Sequence, residues 1–357
     1  MGVQDVGDLE KIRVGIESWL AAKLPDRRGL SVPSLDFPKA SGESSVTLIL
    51  EARSEILGDE RFVLRMAPAK SQVFDRHDLQ MQFEMMEIMA REKLPAPPLV
   101  GYEASPKVLG SDFYVMGFRP GRIPSDNPPM MIAGWLKDDT SPEQRTKMWI
   151  SAVDVLARIH QIDLARHDFS RLPRAAKGET LLAQEIRTFD TMFKPELRPI
   201  ADPRILEGWE LLQKTVPDDA APAFCWGDSR VGNLIFDDDM PAAVLDWEMA
   251  NISDPRTDLG WFIWIDRCNS EGLGAARLPG IPSPASLYAR WSERTGRSIR
   301  GIEWFELFAV VRYAIVLERK FAFMRESNPG LVVPNFPANF IPELMKAVRS
   351  SAHAGGT

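Results

Sequence analysis

The sequence predicts an α+β protein of two lobes: a small β-rich N-lobe with one long helix, and a larger, mostly helical C-lobe. Three observations carry this. β-Branched and apolar runs crowd the first third, helical periodicity governs most of the rest, and one short β segment at residues 223–247 interrupts the helices. A chain of 357 residues is long enough to pack two cores.

Taken in order, Ile12, Ile16, Trp19 and Leu20 recur at helical spacing and predict an amphipathic first helix. Asp5, Asp8, Glu10 and Glu17 interrupt the same stretch, so it has no apolar signal core. SSVTLILEAR and RFVLRMAP read as two strands of a hairpin, with the turn at Gly58 and Asp59. The long helix of the N-lobe follows over residues 75–94, with Leu79, Phe83, Met86 and Ala90 on one face. After a proline-stiffened stretch, SDFYVMGF forms another strand, which Arg119-Pro120-Gly121 ends. The lobe boundary is placed there, giving a nucleotide-binding lobe at 1–118 and a catalytic, substrate-binding lobe at 119–357. In the second lobe, Ser141-Pro142-Glu143-Gln144 is a capping box opening a helix that runs to about His160. The most apolar late run, Trp304 to Phe323, is broken by Glu306, Arg312, Glu318, Arg319 and Lys320, so it reads as a buried helix rather than a membrane span.

Composition narrows the classes. Hydrophobic residues are 45% and charged residues 26% of the chain, an ordinary globular balance. The net charge of −7 argues against a general nucleic-acid partner, which needs a basic footprint. Two cysteines cannot make a disulfide framework or a zinc site, and they predict reduced thiols in a cytoplasmic protein. Nothing in the sequence anchors to a bilayer.

The polar residues of the inserted β segment carry the chemical signal. They read Trp226-Gly227-Asp228-Ser229-Arg230-Val231-Gly232-Asn233, then Leu245-Asp246-Trp247-Glu248, then Asp254-Pro255-Arg256-Thr257-Asp258. Phosphoryl transfer needs a carboxylate to orient the attacking hydroxyl and accept its proton, and hard oxygen ligands for Mg²⁺. Asp228, with Asn233 on the same loop and Asp246 after the next strand, meets both needs. Singly, each is an ordinary turn or capping residue; the spacing of the set is what points to chemistry.

WGDSRVGNLIF followed by AAVLDWEMANISDPRTDLGW resembles the catalytic block of aminoglycoside phosphotransferases and choline-kinase-like enzymes. The likeness is dense over 225–262 and looser over about 35–165, and the last part of the chain matches only in being helical. It implies a two-lobed, protein-kinase-like fold. It also implies an ATP- or GTP-dependent small-molecule kinase with catalytic Asp228, Mg²⁺ ligands Asn233 and Asp246, and Asp258 as a buried brace of the loop. One departure is Trp226, which stands where the family usually has His; the indole cannot repeat every hydrogen bond of an imidazole, so loop geometry is what it tests. On the nucleotide side the resemblance places Arg65 where Lys is common, with Glu84 as its helix partner, Gly42 and Ser44 in a phosphate loop, and Met116 to Phe118 as the hinge against the base. Arg forks to phosphate and carboxylate together, so the exchange for Lys is tolerable.

Arg267, Arg277, Arg290, Arg294, Arg297 and Arg300 stand against Glu271 and Glu293 in the segment 267–300. This excess predicts a neutral or anionic hydroxyl acceptor, such as a hydroxylated acyl thioester or a phosphorylated metabolite, over a polycationic aminoglycoside. Kinase-like domains joined to acyl-CoA dehydrogenases resemble the chain in style. The rival reading is a catalytically idle nucleotide-binding protein, motivated by Trp226, Arg65 and the sparse glycine loop; the intact Asp228, Asn233 and Asp246 favour catalysis. His160 reads as a core histidine, Asp237-Asp238-Asp239 as a solvated hairpin turn, Cys225 as an unreactive thiol, and Trp261 as core.

Overall fold

The structure, a computed structural model, describes residues 8–38, 46–67 and 77–354. The chain divides into two compact units, residues 1–120 with 242–244, and residues 121–241 with 245–357.

The first unit opens with Leu9–Lys23 (α1), whose N-cap Asp8 accepts from the N–H groups of Glu10 and Lys11. Its buried residues are Ile12, Ile16, Trp19 and Leu20, the stripe expected from the periodicity. The strands Ser31–Asp36 (β1), Val46–Ser54 (β2) and Gly58–Met66 (β3) follow. Then come Leu79–Arg91 (α2), Leu99–Glu103 (β4), the single turn Pro106–Leu109 (α3) and Phe113–Gly117 (β5). The sheet runs β1-β2-β3-β5-β4, with every neighbour pair antiparallel. β1 was not expected from the sequence. The hairpin turn also differs: Ser54 pairs with Gly58, so Glu55, Ile56 and Leu57 turn the chain and Gly58 begins β3 at φ +69°. A loop of three residues closed by a glycine in the left-handed region is a standard hairpin solution.

Alternation fixes the sheet's faces. Val46, Leu48, Leu50 and Ala52 of β2 and Phe62, Leu64 and Met66 of β3 pack with Phe113 and Val115 of β5 and the α1 stripe in one core. Each fully buried aliphatic side chain there contributes about 1.5–3 kcal/mol. On α2, Leu79, Phe83 and Met86 are buried as expected, while Ala90 is exposed. Residues 242–244 group with this unit, and Val244 N–H donates to Pro95 O at 3.1 Å.

The second unit begins with the short helix Trp135–Asp138 (α4) and with Pro142–Ile159 (α5). The predicted capping box of α5 is formed in both directions: Gln144 N–H donates to Ser141 Oγ at 3.3 Å, and Ser141 N–H to Gln144 Oε1 at 2.9 Å. Leu181–Met192 (α6) and Pro203–Lys214 (α7) lead to the inserted segment, Ala223–Cys225 (β6), Leu234–Asp237 (β7), Met240–Val244 (β8, whose residues 242–244 group with the first unit) and Asn251–Ser253 (β9). β6 pairs antiparallel with β9. Arg256–Cys268 (α8), Pro284–Thr295 (α9), Ile302–Ser327 (α10) and Ile341–Ala354 (α11) complete the unit. α10 is its central helix, packed on α8, α7 and α11. Burial explains its composition: Trp304, Phe305, Leu307, Phe308, Val310, Val311, Ala314 and Ile315 are all buried. Among the described residues no helix is long and apolar enough to cross a membrane.

Candidate active site

Ser253 and Cys225 close the short β6–β9 ladder, and the chain leaves each strand into a loop whose polar groups turn inward. Residues 251–260 are all buried. Asp258, at the start of α8, is 1% exposed and accepts from Trp226 N–H at 2.6 Å, Gly227 N–H at 2.8 Å and His160 Nε2 at 3.1 Å. Its main-chain carbonyl accepts from Ser229 Oγ at 2.7 Å. Trp291 Nε1–H donates to His160 Nδ1 at 2.9 Å, which leaves the imidazole proton on Nε2 facing the carboxylate. One buried carboxylate therefore satisfies two loop amides that no strand reaches. His160 is a core histidine, and it also braces the loop.

His160, Cys225 and Asp258 bring a nitrogen, a sulfur and an oxygen within 4.8 Å of one another. Both imidazole nitrogens are engaged, and burial, then the charge of Asp258, pushes the Cys225 thiol well up. The trio is a brace and has no thiolate to offer a metal.

Gly227 is where the loop is tightest. Its φ is +88°, and a Cβ there would lie 2.1 Å from the carbonyl oxygen of Met249. Beyond it, Asp228 is half-buried. Its Oδ2 accepts from Asn233 Nδ2 at 2.7 Å and from Arg230 Nε at 3.3 Å, and its Oδ1 from Trp261 Nε1 at 2.8 Å. Asn233 Nδ2 also donates to Asp228 O at 2.9 Å. With both amide hydrogens aimed at Asp228, the amide oxygen of Asn233 is turned away from that carboxylate. Leu245 N–H donates to Asn233 O at 2.9 Å, so Asp246 follows directly on the anchored residue, at φ +56°. Asp228, Asn233 and Asp246 are thus gathered on one loop system, and the last two bring the hard oxygen atoms that Mg²⁺ prefers.

Trp226 resolves the question its presence raised. Its main-chain N–H serves Asp258, while its indole Nε1–H donates to Leu245 O at 2.8 Å and its ring lies 6.0 Å from that of Trp247. The bracing runs through the backbone, and the side chain ties β6 to the residue before Asp246. Two other residues escaped the sequence reading. Trp261, read as core, is buried but donates to Asp228. Arg230, passed over inside the motif, bridges Asp228 and Asp126, the latter at 2.6 and 2.8 Å. The spacing was a usable signal: Trp261 follows Asp258 by three residues and so shares its helix face. Burial opposes the charge on Arg230, but Asp228 and Asp126 hold its pKa well above the ordinary value.

The remaining expectations fall in the first unit. Gly42 and Ser44 lie outside the described residues. Arg65 is half-buried on β3, opposite Thr47 and Tyr114. Burial, then the charge of Arg65, lowers the pKa of His77. The half-buried Glu84 accepts from Gln80 Nε2 at 2.9 Å. Glu87 on the same helix pairs with Arg91 at 3.3 Å. Met116 is buried in β5; Gly117 N–H donates to Pro98 O at 2.6 Å and Phe118 N–H to Arg61 O at 2.9 Å. Those two hinge donors are committed within the unit, so a base would meet other main-chain groups.

Tertiary partners reduce the arginine excess. Arg267 pairs with Glu271 at 2.7 Å, Arg277 with Asp266 at 2.9 Å, and Arg290 and Arg294 share Asp154 at 2.8 and 3.1 Å. Arg297 reaches the carbonyls of Ala221 and Pro222. The sequence count missed Asp154 and Asp266 because neither belongs to the stretch in which the arginines were counted. The acidic run Asp237-Asp238-Asp239 does turn a hairpin, with φ of 49° and 61° at the last two, and Asp239 accepts from Gln144.

Comparison with known proteins matches the sequence profile of the phosphotransferase enzyme family over residues 41–300. The chain belongs to that family. It has a fold of the α+β, protein-kinase-like class. It is 28% identical to acyl-CoA dehydrogenase family member 11 of Rattus norvegicus over 72% of this chain and 32% of that protein. It is 24% identical to a probable acyl-CoA dehydrogenase of Arabidopsis thaliana over 77% of this chain and 34% of that one. The chain thus spans about a third of the length of these curated relatives. Among solved structures, a putative aminoglycoside phosphotransferase from Ralstonia eutropha shares the fold at a TM-score of 0.71 and 20% identity, covering 96% of this chain and 98% of the other. The GDP complex of wild-type aminoglycoside 2'-phosphotransferase-IIIa does so at 0.54 and 13%, covering 95% and 99%.

Proposed function

We propose that this kinase transfers the γ-phosphoryl group of ATP or GTP to a hydroxyl of a small molecule, with Asp228 as the catalytic base. The observation that carries this is the suspension of Asp228 by Asn233 Nδ2, Trp261 Nε1 and Arg230 Nε, which fixes both carboxylate oxygens for an incoming hydroxyl. In the step, the acceptor oxygen forms a bond to γ-phosphorus while the bridging bond to the β-phosphate breaks. The hydroxyl proton passes to Asp228, and the electron pair leaves on the nucleoside diphosphate. Asn233 and Asp246 would hold Mg²⁺, which when bound neutralises phosphate charge. Residues 1–118 would serve as the nucleotide-binding lobe, with Arg65, Glu84, Gly42, Ser44, Met116 and Phe118 at the nucleotide, and 119–357 as the catalytic lobe. GTP stands beside ATP because a solved relative was captured with GDP.

For the acceptor, the pairing of the arginines weakens the electrostatic argument, and the curated relatives supply another. A kinase-like segment matching part of acyl-CoA dehydrogenases favours a hydroxylated acyl thioester over an aminoglycoside. Two buried free thiols fit a cytoplasmic setting. The experiment is thermal unfolding with Mg·ATP and Mg·GTP on the wild type and on Asp246→Ala. A nucleotide-dependent rise in Tm that the variant loses supports the reading; no rise with either nucleotide in a folded sample removes it.

A further inference from the structure

Arg230 lies at the centre of an arrangement that a purely structural ion pair does not need. Its Nε donates to Asp228 at 3.3 Å, while Nη1 and Nη2 grip both oxygens of Asp126 at 2.6 and 2.8 Å. Such a parallel fork is how a guanidinium takes a carboxylate or a phosphate. The two partners are unequally held. The Arg230 side chain is 19% exposed and the Asp126 side chain 55%. Arg230 is fixed between Ser229 and Val231, both fully buried. Asp126 belongs to the loop between Gly121 and Met131. Gly232 keeps room for the guanidinium, since a Cβ there would meet Nη1 at 2.6 Å. The cation is anchored, and the anion is the replaceable member.

Phosphoryl transfer spreads negative charge over the non-bridging oxygens and calls for a cation beside the base. The arginines of 267–297 are committed to acids or carbonyls. Arg312 is 1% exposed, beneath the rings of Phe189, Trp261 and Phe308. Among the described residues, Arg230 is the cation paired with Asp228.

We propose that Arg230 is the oxyanion receptor of the active site, and that Asp126 fills its fork as a displaceable stand-in for the phosphoryl group. The proposal rests on the phosphotransferase reading and adds a residue pair to it. Arg230 forms no covalent bond: it holds non-bridging oxygens while Asp228 takes the proton. Asp126 is the exposed member of the pair and carries a single charge, so a phosphate oxyanion of higher charge can take the fork from it. It keeps the guanidinium in place between turnovers.

The test is calorimetric titration of inorganic phosphate into the full chain without nucleotide, for the wild type, Asp126→Asn, Arg230→Lys and Arg230→Gln. Asp126→Asn should bind phosphate at least about fivefold more tightly than wild type, because the fork is then free of a competing carboxylate. Arg230→Gln should bind about tenfold more weakly or not at all, with Arg230→Lys between, because Lys keeps the charge and loses the fork. Equal phosphate binding across the series, no binding in any variant, or weaker binding by Asp126→Asn overturns the proposal. The Asp126→Asn arm decides the sign even if an Arg230 variant folds poorly. A failure of the kinase reading would show separately, as absence of a Mg·nucleotide shift in the wild type.

Discussion

In the first unit, β2 turns Val46, Leu48, Leu50 and Ala52 inward and leaves Arg53 exposed, whereas in residues 225–258 carboxylates and amides go inward as well. The sheet is held by apolar area, which is non-directional and tolerates small shifts. The loop segment is held by directed hydrogen bonds onto Asp258 and Asp228, where one lost donor or a shift of an ångström leaves a buried polar group unmet. The sheet should therefore yield gradually to substitution and the loop abruptly.

The largest expected effect is at Gly227. A Cβ against Met249 O, on a backbone in the left-handed region, should cost about 4 kcal/mol or more, read as a shift of the urea midpoint. A loss under about 1 kcal/mol would mean the loop relaxes as the sheet does, which erases the contrast. Leu64→Ala, at a fully buried position of β3, should cost about 3 kcal/mol by leaving a cavity. Trp226→His sharpens the comparison from the other side. It restores the residue usual in the family, yet it removes an indole packed by Trp247 and bonded to Leu245 O, so about 2 kcal/mol of stability should be lost rather than gained. A stabilised Trp226→His would show that the imidazole, and not the main chain, is the natural brace.

A smaller effect is pH-dependent. Burial raises the pKa of Glu306 above 4.5, opposed by the Tyr288 hydroxyl that donates to it at 2.5 Å. The folded state therefore favours the proton: the stability this group contributes is full below 4.5 and is lost as pH rises through the folded pKa. Glu306→Gln carries no such loss, so its stability relative to wild type should improve as pH rises from about 4.5 and level off above the folded pKa, read by chemical denaturation. A flat difference would place the carboxylate in full contact with water. The smallest effect belongs to Arg294→Ala. Arg290 already neutralises Asp154, and an exposed second arginine should be worth about 0.5 kcal/mol or less.

Much of this was legible locally. The α1 stripe, the capping box of α5, the strands β2, β3 and β5, and the gathering of Asp228, Asn233 and Asp246 follow from side-chain period and motif spacing, which act over a few residues. Less was legible where a partner is distant. Trp261 looked like core because nothing near it in the chain reveals that its N–H meets Asp228. The arginines of 267–300 looked like a cationic surface because Asp154 and Asp266 lay outside the stretch being counted.

By itself, then, the sequence determined the fold class, the apolar faces and the identity of the polar loop, since these depend on periodicity and on the turn preferences of Gly, Asp and Asn. Only the tertiary structure decided what each polar group meets. His160 reaches Asp258 across 98 residues and Trp291 across 131. Asp126 reaches Arg230 across 104. Hydrogen bonds and ion pairs are directional and short, so their partners are fixed by how helices and strands pack, a choice no local pattern contains.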